Sequence, residues 1–363
     1  MRIILVTDFP LKGSGYQTLS EGLALGLFSL GHKVTVLGTG YQGEQHPYPF
    51  QLIPTHYTWI PQHITVLVPE LKPDWIFFLM DIPRQVSIAE ELARKHPAFM
   101  QDKNIAAIFP IESDPLCSVW KNVLGTKFKK LFTFTDFGIK TLEEAGIKAT
   151  KIPVCMVQAW YEEPDPAHIE EYIVPMTKNP YILTVADNQI RKNLPAVMET
   201  IGKWLKKNPE SKLYWVIVTL SDGKDGWWLP EICDRVGFPK ERLIICDMRH
   251  TSRAKLKALY DNAVVFLTLP LAEGIGLPIY EAQACGCPVV GTNCTGIPEA
   301  LEHKELAVSW KYKTIYPWGY VNHYWADTDD AVEKLDLGLR TEHIKKVYPR
   351  WTAAAEILMN NLD

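Results

Sequence analysis

Two glutamates separated by seven residues, Glu273 and Glu281, bracket a turn that carries Gly274, Gly276 and Pro278. The apolar run Val264–Thr268 ahead of them reads as a buried strand. Pro278 suits the first position of a helix, where its missing N–H is no loss. Gly274 and Gly276 let the backbone turn tightly and approach a ligand, and the amides left unused at a helix start attract phosphate. Gly286, followed by Pro288, stops that helix early. This spacing puts Glu281 in the first helical turn and Glu273 just before it. Carboxylates there repel phosphate itself, but they suit hydroxyls on either side of one, such as those of a ribose and a sugar. Taken singly, Glu281 is also explained as a favourable charge near a helix N-terminus, and Glu273 as a solvated loop acid. Together with the glycines, the ligand reading is the stronger.

A second element supplies the opposite charge. The apolar run Tyr181–Ala186 leads into a polar loop, and Leu194 and Pro195 open a helix. Arg191 and Lys192 therefore fall at a strand's carboxyl end beside a helix start. Two cations there neutralise a leaving diphosphate, whose charge grows as a glycosidic bond breaks; the plain alternative is ordinary surface basicity. The first half of the chain is less pointed. Its opening strand runs into Asp8-Phe-Pro-Leu-Lys-Gly13-Ser14-Gly15-Tyr16, then a helical stretch, then Gly31-His32-Lys33. A nicotinamide site is excluded, because Thr18 stands where a third glycine belongs and the second strand ends at Gly38 without an acid. Glu112, Asp114 and Asp136 follow further strand-like runs and are candidates for contacting acceptor hydroxyls.

Positioning these groups requires a particular architecture. Apolar runs at Ile3–Thr7, Lys33–Leu37, Trp75–Leu79, Ile105–Phe109 and Leu131–Thr135 alternate with amphipathic stretches such as Thr18–Leu30. They resume at Tyr181–Ala186, Leu213–Thr219, Leu243–Cys246, Val264–Thr268 and Pro288–Gly291, with helical stretches at Leu194–Lys207 and Arg253–Asn262. Uniformly apolar strands alternating with helices imply α/β domains with a parallel sheet covered on both faces. The pattern pauses at Lys151–Pro180, whose five prolines and acidic cluster suggest an interdomain linker. Two doubly wound, Rossmann-like domains joined there, residues 1–155 and 156–344, are expected to leave a cleft at the carboxyl ends of both sheets. Trp310–Trp325, rich in aromatics and without a clean period, is either a loop stacking on a sugar or a packed surface excursion.

The net charge of −4 gives no reason to expect a nucleic-acid partner, and Lys127, Lys129 and Lys130 form only a short basic patch. Seven cysteines in mostly apolar settings suggest reduced thiols in a cytoplasmic protein. Cys285-Gly-Cys287 lacks a second ligand pair at zinc spacing. No run approaches the ~18 apolar residues of a spanning helix, which leaves peripheral contact as the form any membrane association takes.

The segment Glu273-Gly274-Ile275-Gly276-Leu277-Pro278, with Glu281-Ala282, Gly286, Pro288-Val289-Val290 and Gly296-Ile297-Pro298-Glu299, resembles the signature of the retaining glycosyltransferases of family 4, which share the GT-B fold. The resemblance implies that Glu281 holds ribose hydroxyls, Glu273 the donor sugar, and the amides of Gly276 and Leu277 the diphosphate of a UDP- or GDP-sugar. It further implies a metal-independent reaction without cofactor, and a Gly-containing loop at Gly15 near the donor. Lys192 matches the family's lysine, but Asp187 occupies the position of its arginine, so that Arg191 supplies the charge, the donor grip differs, or the acid instead holds Arg191 in place. The final segment, Glu342–Leu362, looks like the terminal helices that return to the first domain in this fold (a C-terminal helix over 345–363). The expected activity is transfer of a sugar to an acceptor hydroxyl, the acceptor being a glycan, a lipid-linked sugar or a small molecule. The alternatives are a nucleotide-sugar epimerase on the same architecture and a non-catalytic sugar-nucleotide-binding subunit, the latter motivated by Asp187.

Overall fold

The computed structural model describes the chain apart from residues 12–13, 103, 164, 174–176, 221–225, 318 and 363. It divides into two compact units, Met1–Val157 with Pro349–Asp363, and Gln158–Tyr348. The first holds strands β1 (Arg2–Asp8), β2 (Lys33–Thr39), β3 (Gln51–Thr55), β4 (Trp75–Leu79), β5 (Ile105–Ile108), β6 (Lys130–Thr133) and β7 (Thr150–Lys151). They form one parallel sheet in the order β3-β2-β1-β4-β5-β6-β7. The strand order reverses between β1 and β4, which opens a crevice at their carboxyl ends. Every residue of β4 is buried, as a strand covered by helices on both faces requires. Pro54 is tolerated in β3 because β3 is an edge strand.

Helix Gly15–Ser29 follows β1 and is capped by Ser14, whose hydroxyl accepts from the Gln17 amide at 3.0 Å. Gly13 of the same loop lies outside the described residues. Helix Trp351–Asn360, near the end of the chain, packs on Gly15–Ser29 through two glycines. A Cβ at Gly22 would stand 2.1 Å from the Trp351 ring, and one at Gly26 2.5 Å from the Trp351 carbonyl oxygen. Gly26→Ala is therefore expected to cost about 1–3 kcal/mol, because rigid backbone must move to admit the methyl; urea unfolding checks this. Residues 342–350 are not helical, although helix was expected across 342–362. Pro349 disfavours helical backbone at the residue before it.

The second unit holds β8 (Tyr181–Val185), β9 (Tyr214–Thr219), β10 (Leu243–Asp247), β11 (Val265–Thr268), β12 (Val289–Thr292) and β13 (Ala307–Val308). Their parallel order is β10-β9-β8-β11-β12-β13, with the reversal between β8 and β11. Trp215, Ile182, Leu267 and Val290 lie in the core that binds this sheet to its helices. All the strands expected from the apolar runs form, within two residues at each end. The stretch expected to be a linker is more ordered than that after Val157. Trp160 is buried, edge-on to Tyr260 at 5.8 Å, and Ile173 is buried too; residues 164 and 174–176 lie outside the described set.

The aromatic stretch is not a loop. It forms an antiparallel hairpin of β14 (Trp310–Tyr316) and β15 (Val321–Ala326); Trp318 lies outside the described residues. A register shift between Trp310 and Tyr312 moves side chains from one face to the other. With β14 exposed along nearly its whole length, no buried face imposes alternation, so the sequence carried no strand period.

Candidate functional site

Neighbouring strands β8 and β11 each end in a loop that leads into a helix, Leu194–Lys207 and Leu277–Ala284 respectively. The two loops are fastened together. Asn193, in a left-handed conformation (φ 51°), donates from its side chain to the Leu269 carbonyl at 3.1 Å. The Leu271 amide donates to the Arg191 carbonyl at 2.8 Å. These bonds bring Arg191, Lys192 and Glu273 into one cluster. Lys192 Nζ donates to Glu273 Oε2 in a short ion pair. Arg191 Nη1 lies 3.3 Å from the same oxygen and donates to the Ala272 carbonyl at 2.8 Å. Burial raises the Glu273 pKa, but the two cations outweigh it and hold the carboxyl down at about 2.

The backbone of Glu273 is fixed from the other side by Thr295, a residue the sequence reading did not single out. The Thr295 hydroxyl accepts from the Glu273 amide and donates to the Glu273 carbonyl, both at 2.9 Å. The Gly296 amide donates to that carbonyl at 3.1 Å. A Cβ at Gly296 would stand 2.4 Å from the Gly274 carbonyl oxygen, so the loop admits only glycine there without moving. Gly276 (φ 73°) caps the next helix in the left-handed region. Leu277 is then the first helical residue and Pro278 the second, one place later than expected. Ile279 donates to the Gly276 carbonyl at 2.8 Å inside this turn, and the helix itself leaves the amides of Gly276 and Leu277 unused.

Glu281 is the fifth residue of this helix, not part of its first turn. Its charge is therefore poorly placed to interact with the helix start, which removes the simplest structural explanation for an acid at this position. It is 7% exposed, and the Tyr260 hydroxyl donates to its Oε2 at 3.0 Å. Burial pushes its pKa up to about 7, against the opposing pull of Tyr260 and Arg253. Two glutamates in one loop-and-helix segment thus have opposite protonation tendencies: Glu273 is ionised and ion-paired, while Glu281 is poised near neutrality. Tyr260 carried no signal in the sequence, since it lies in the last turn of an ordinary amphipathic helix, Arg253–Asn262.

Asp187 follows β8 and accepts from the Gln189 side chain at 2.8 Å, while the Arg191 guanidinium is engaged by Glu273 and Ala272. His323 of β15 is buried near this cluster, stacked on Tyr316 at 4.3 Å. Burial, and secondarily Arg191, hold its imidazole down at about 4. All seven cysteines are free thiols. Cys285 and Cys287 are buried and donate weakly to the Trp160 and Ala263 carbonyls.

Gly15, Glu112, Asp114 and Asp136 belong to the first unit. Gly15 is the first residue of its helix. Asp136 opens helix Asp136–Glu144 and pairs with Lys151 at 2.7 Å. Glu112 lies beyond the end of β5, close enough to help raise the Tyr16 hydroxyl pKa well above its ordinary value, after burial and Asp81. A denser cluster occupies the β1/β4 crevice of this unit, and the sequence reading missed it. Tyr16 donates to Asp81 Oδ1 at 2.6 Å, and Arg84 Nη1 pairs with Asp8 Oδ2 at 2.5 Å. The Arg84 guanidinium lies 4.4 Å from the centre of the Tyr57 ring. The Tyr57 hydroxyl is buried with no hydrogen-bond partner among the described residues. Two carboxylates, a guanidinium and phenols are suited to recognising a hydroxyl-rich molecule. Its members come from three separate chain segments, which explains why no spacing revealed it.

The two units, each a parallel, doubly wound sheet, match solved proteins of the GT-B fold with two Rossmann-like domains. Residues 179–313, which span the whole Arg191–Glu273–Glu281 site, match the family described as glycosyl transferases group 1. A 46-residue stretch is 48% identical to O-antigen chain mannosyltransferase B of Escherichia coli, and covers 13% of this chain and 12% of that relative. In structure the chain is similar to an alpha,alpha-trehalose-phosphate synthase (UDP-forming) from Burkholderia xenovorans, with TM-score 0.67, 14% identity, and coverage of 100% of this chain and 96% of that one. It is also similar to UDP-GlcNAc 2-epimerase from Methanocaldococcus jannaschii, with TM-score 0.59, 13% identity, and coverage of 99% and 98%. Among the described residues, no helix is long and apolar enough to cross a membrane.

Proposed function

We propose that the protein transfers a sugar from a nucleoside diphosphate sugar to an acceptor hydroxyl, with retention of anomeric configuration and without a metal. The observation that carries this reading is the joined cluster of Lys192, Arg191 and Glu273 beside the Gly276-capped helix start. Without donor, Glu273 neutralises much of the charge of the two cations. As the donor enters, its diphosphate takes over that role at Lys192, Arg191 and the helix-start amides. Glu273 is then released to accept from a sugar hydroxyl. Glu281, held in a fixed geometry by Tyr260, takes the ribose. Breaking the glycosidic bond moves negative charge onto the diphosphate, where the same cations stabilise it. No side chain is assigned as base; the leaving phosphate accepts the acceptor proton on the same face. The cluster of Asp8, Asp81, Tyr16 and Arg84 in the first unit, with Glu112 near Tyr16, receives the acceptor, and Asp114 in the segment after β5 and Asp136 at the helix start after β6 are further candidates.

UDP is favoured as the nucleotide by the UDP-forming synthase named above, and a mannosyl donor, whether UDP- or GDP-linked, by the short mannosyltransferase match. The epimerase similarity shows that the fold alone does not choose the reaction, but the group 1 glycosyl transferase match across the site favours transfer. Thermal-shift screening against UDP- and GDP-sugars without metal is expected to give a rise with one nucleotide family. Proton NMR of the product with that donor should then show a new glycoside of the donor's own anomeric configuration. A nucleotide-sugar epimer formed without acceptor, or an inverted glycoside, would overturn the reading. In donor-binding calorimetry, Glu281→Ala is expected to weaken nucleotide binding more than Glu273→Ala; the reverse order would exchange the two roles.

A further inference from the structure

We infer that the hairpin β14–β15 is a stacking platform for a neutral oligosaccharide, beside the site that handles the single donor sugar. Trp310 (41%), Tyr312 (54%), Ile315 (70%) and Tyr320 (73%) make this one of the most apolar exposed segments of the protein. The rings are ordered among themselves. Tyr312 and Trp325 stack across the two strands at 5.8 Å with planes 18° apart, and Trp310 meets Tyr324 edge-on at 5.2 Å. The Trp325 indole N–H donates to Thr314 Oγ1 at 3.0 Å, which fixes the ring against the hairpin. A pre-ordered, half-exposed ring offers an apolar face to the C–H side of a pyranose. It does so at little conformational cost.

Charge separates a sugar from a lipid headgroup layer, another surface that attracts Trp and Tyr. Lys311 is already held by Asp327 at 3.0 Å and Asp329 at 3.2 Å. Lys313 is the one further lysine on the hairpin, far short of the four to eight basic residues that mark recognition of anionic lipid. The platform is also tied to the transfer site. The Tyr324 amide donates to the Leu271 carbonyl at 2.8 Å, two residues from Glu273. At the other end of the hairpin, Tyr316 stacks on His323, which lies close enough to Arg191 to feel its charge. Tyr312, Tyr316, His323 and Trp325 share one face of the hairpin, opposite to Trp310 and Tyr324, so an oligosaccharide lying on Tyr312 and Trp325 runs toward His323 and Arg191. The group 1 match ends at residue 313, so most of the hairpin lies beyond it.

The inference rests on the reading of the second unit as a sugar-handling domain, and its test is kept separate from that reading. The full chain is run by affinity electrophoresis through gels containing mannan, dextran or xylan, alongside Tyr312→Ala, Tyr312→Phe and Lys313→Glu. Wild type is expected to be retarded by at least one polysaccharide. Tyr312→Ala should lose about tenfold in affinity, while Tyr312→Phe and Lys313→Glu stay within about twofold. Thermal shifts with the nucleotide donor should be the same in all four proteins, which shows that the donor site and fold survive each change. Retardation by none of the polysaccharides, or equal retardation of Tyr312→Ala, overturns the inference. So does co-sedimentation with phosphatidylglycerol vesicles that Tyr312→Ala abolishes, which assigns the hairpin to a bilayer surface. Retardation without any donor shift leaves the platform standing and removes the donor reading instead.

Discussion

Glu273→Ala is expected to destabilise the second unit by about 3–5 kcal/mol and to remove transfer activity, because it strands two cations in a partly buried site. The side chains of Arg191, Lys192 and Glu273 are each less than a fifth exposed, so water screens the remaining positive charges weakly. The pKa of Glu273 gives an independent figure. Its carboxyl sits at about 2, below the ordinary 4.5. The unfolded chain therefore binds the extra proton first as pH falls. The stabilisation is fully present above about pH 4.5 and is lost as pH falls through about 2, roughly 3 kcal/mol in all. Urea unfolding as a function of pH should show this loss in wild type and not in Glu273→Ala. The double variant Glu273→Leu with Lys192→Met tests why the charges are kept. Apolar side chains of similar volume are expected to recover part of the lost stability while transfer stays absent. Recovery of transfer in that variant would remove these residues from the donor site. A Glu273→Ala protein as stable as wild type would mean that the ion pairs are open in solution.

Glu281 is expected to make donor binding depend on pH in the opposite sense to a simple phosphate site. An ionised carboxylate accepts from two ribose hydroxyls, whereas the protonated form gives up part of that capacity. With a pKa of about 7, roughly a tenth of Glu281 is ionised near pH 6 and roughly nine-tenths near pH 8. The dissociation constant for a sugar nucleotide, whose diphosphate does not titrate in this range, should tighten by about tenfold between those two pH values. Glu281→Gln keeps the shape and the Tyr260 contact, so it should bind donor more weakly at pH 8 and show a flat profile. Isothermal titration calorimetry at several pH values measures both, and proton release on binding in wild type is the companion signature. A profile in Glu281→Gln as steep as in wild type would place the titrating group elsewhere. Stability moves the other way. Because the folded pKa of Glu281 lies above the ordinary 4.5, wild type loses ~3 kcal/mol as pH rises from about 4.5 to about 7. The Gln variant should lose none of it, and so should gain on wild type as pH rises.

Much of this site was written in local spacing. A buried strand, two glycines, a proline and two glutamates within a short segment are enough to specify a strand, a left-handed cap and a helix start. They do so because turn chemistry and helix capping are decided by neighbours in the chain. The same holds for the alternation of apolar runs and amphipathic helices, which specifies parallel sheets without reference to any one tertiary contact. Even there, spacing misjudged the helix start by one residue, and with it the setting of Glu281.

The tertiary structure decided everything that depends on which distant segments meet. Lys192 and Glu273 are eighty-one residues apart in sequence, and they meet because β8 and β11 are neighbours at the switch point. Thr295 reaches Glu273 from the loop after β12, and Tyr260 reaches Glu281 from another helix. Asp8, Tyr16, Asp81 and Arg84 converge for the same reason at the switch point of the first unit. The aromatic hairpin was hidden for a different one: β14 is exposed, β15 is partly buried on both faces and the register shifts between them, so no alternation marks the ribbon in its sequence. By itself the sequence determined which groups were available and how each was presented by its own stretch of chain. Their protonation was set by the fold, because burial and opposite charge act through space. That is how two glutamates eight residues apart came to sit at about 2 and about 7.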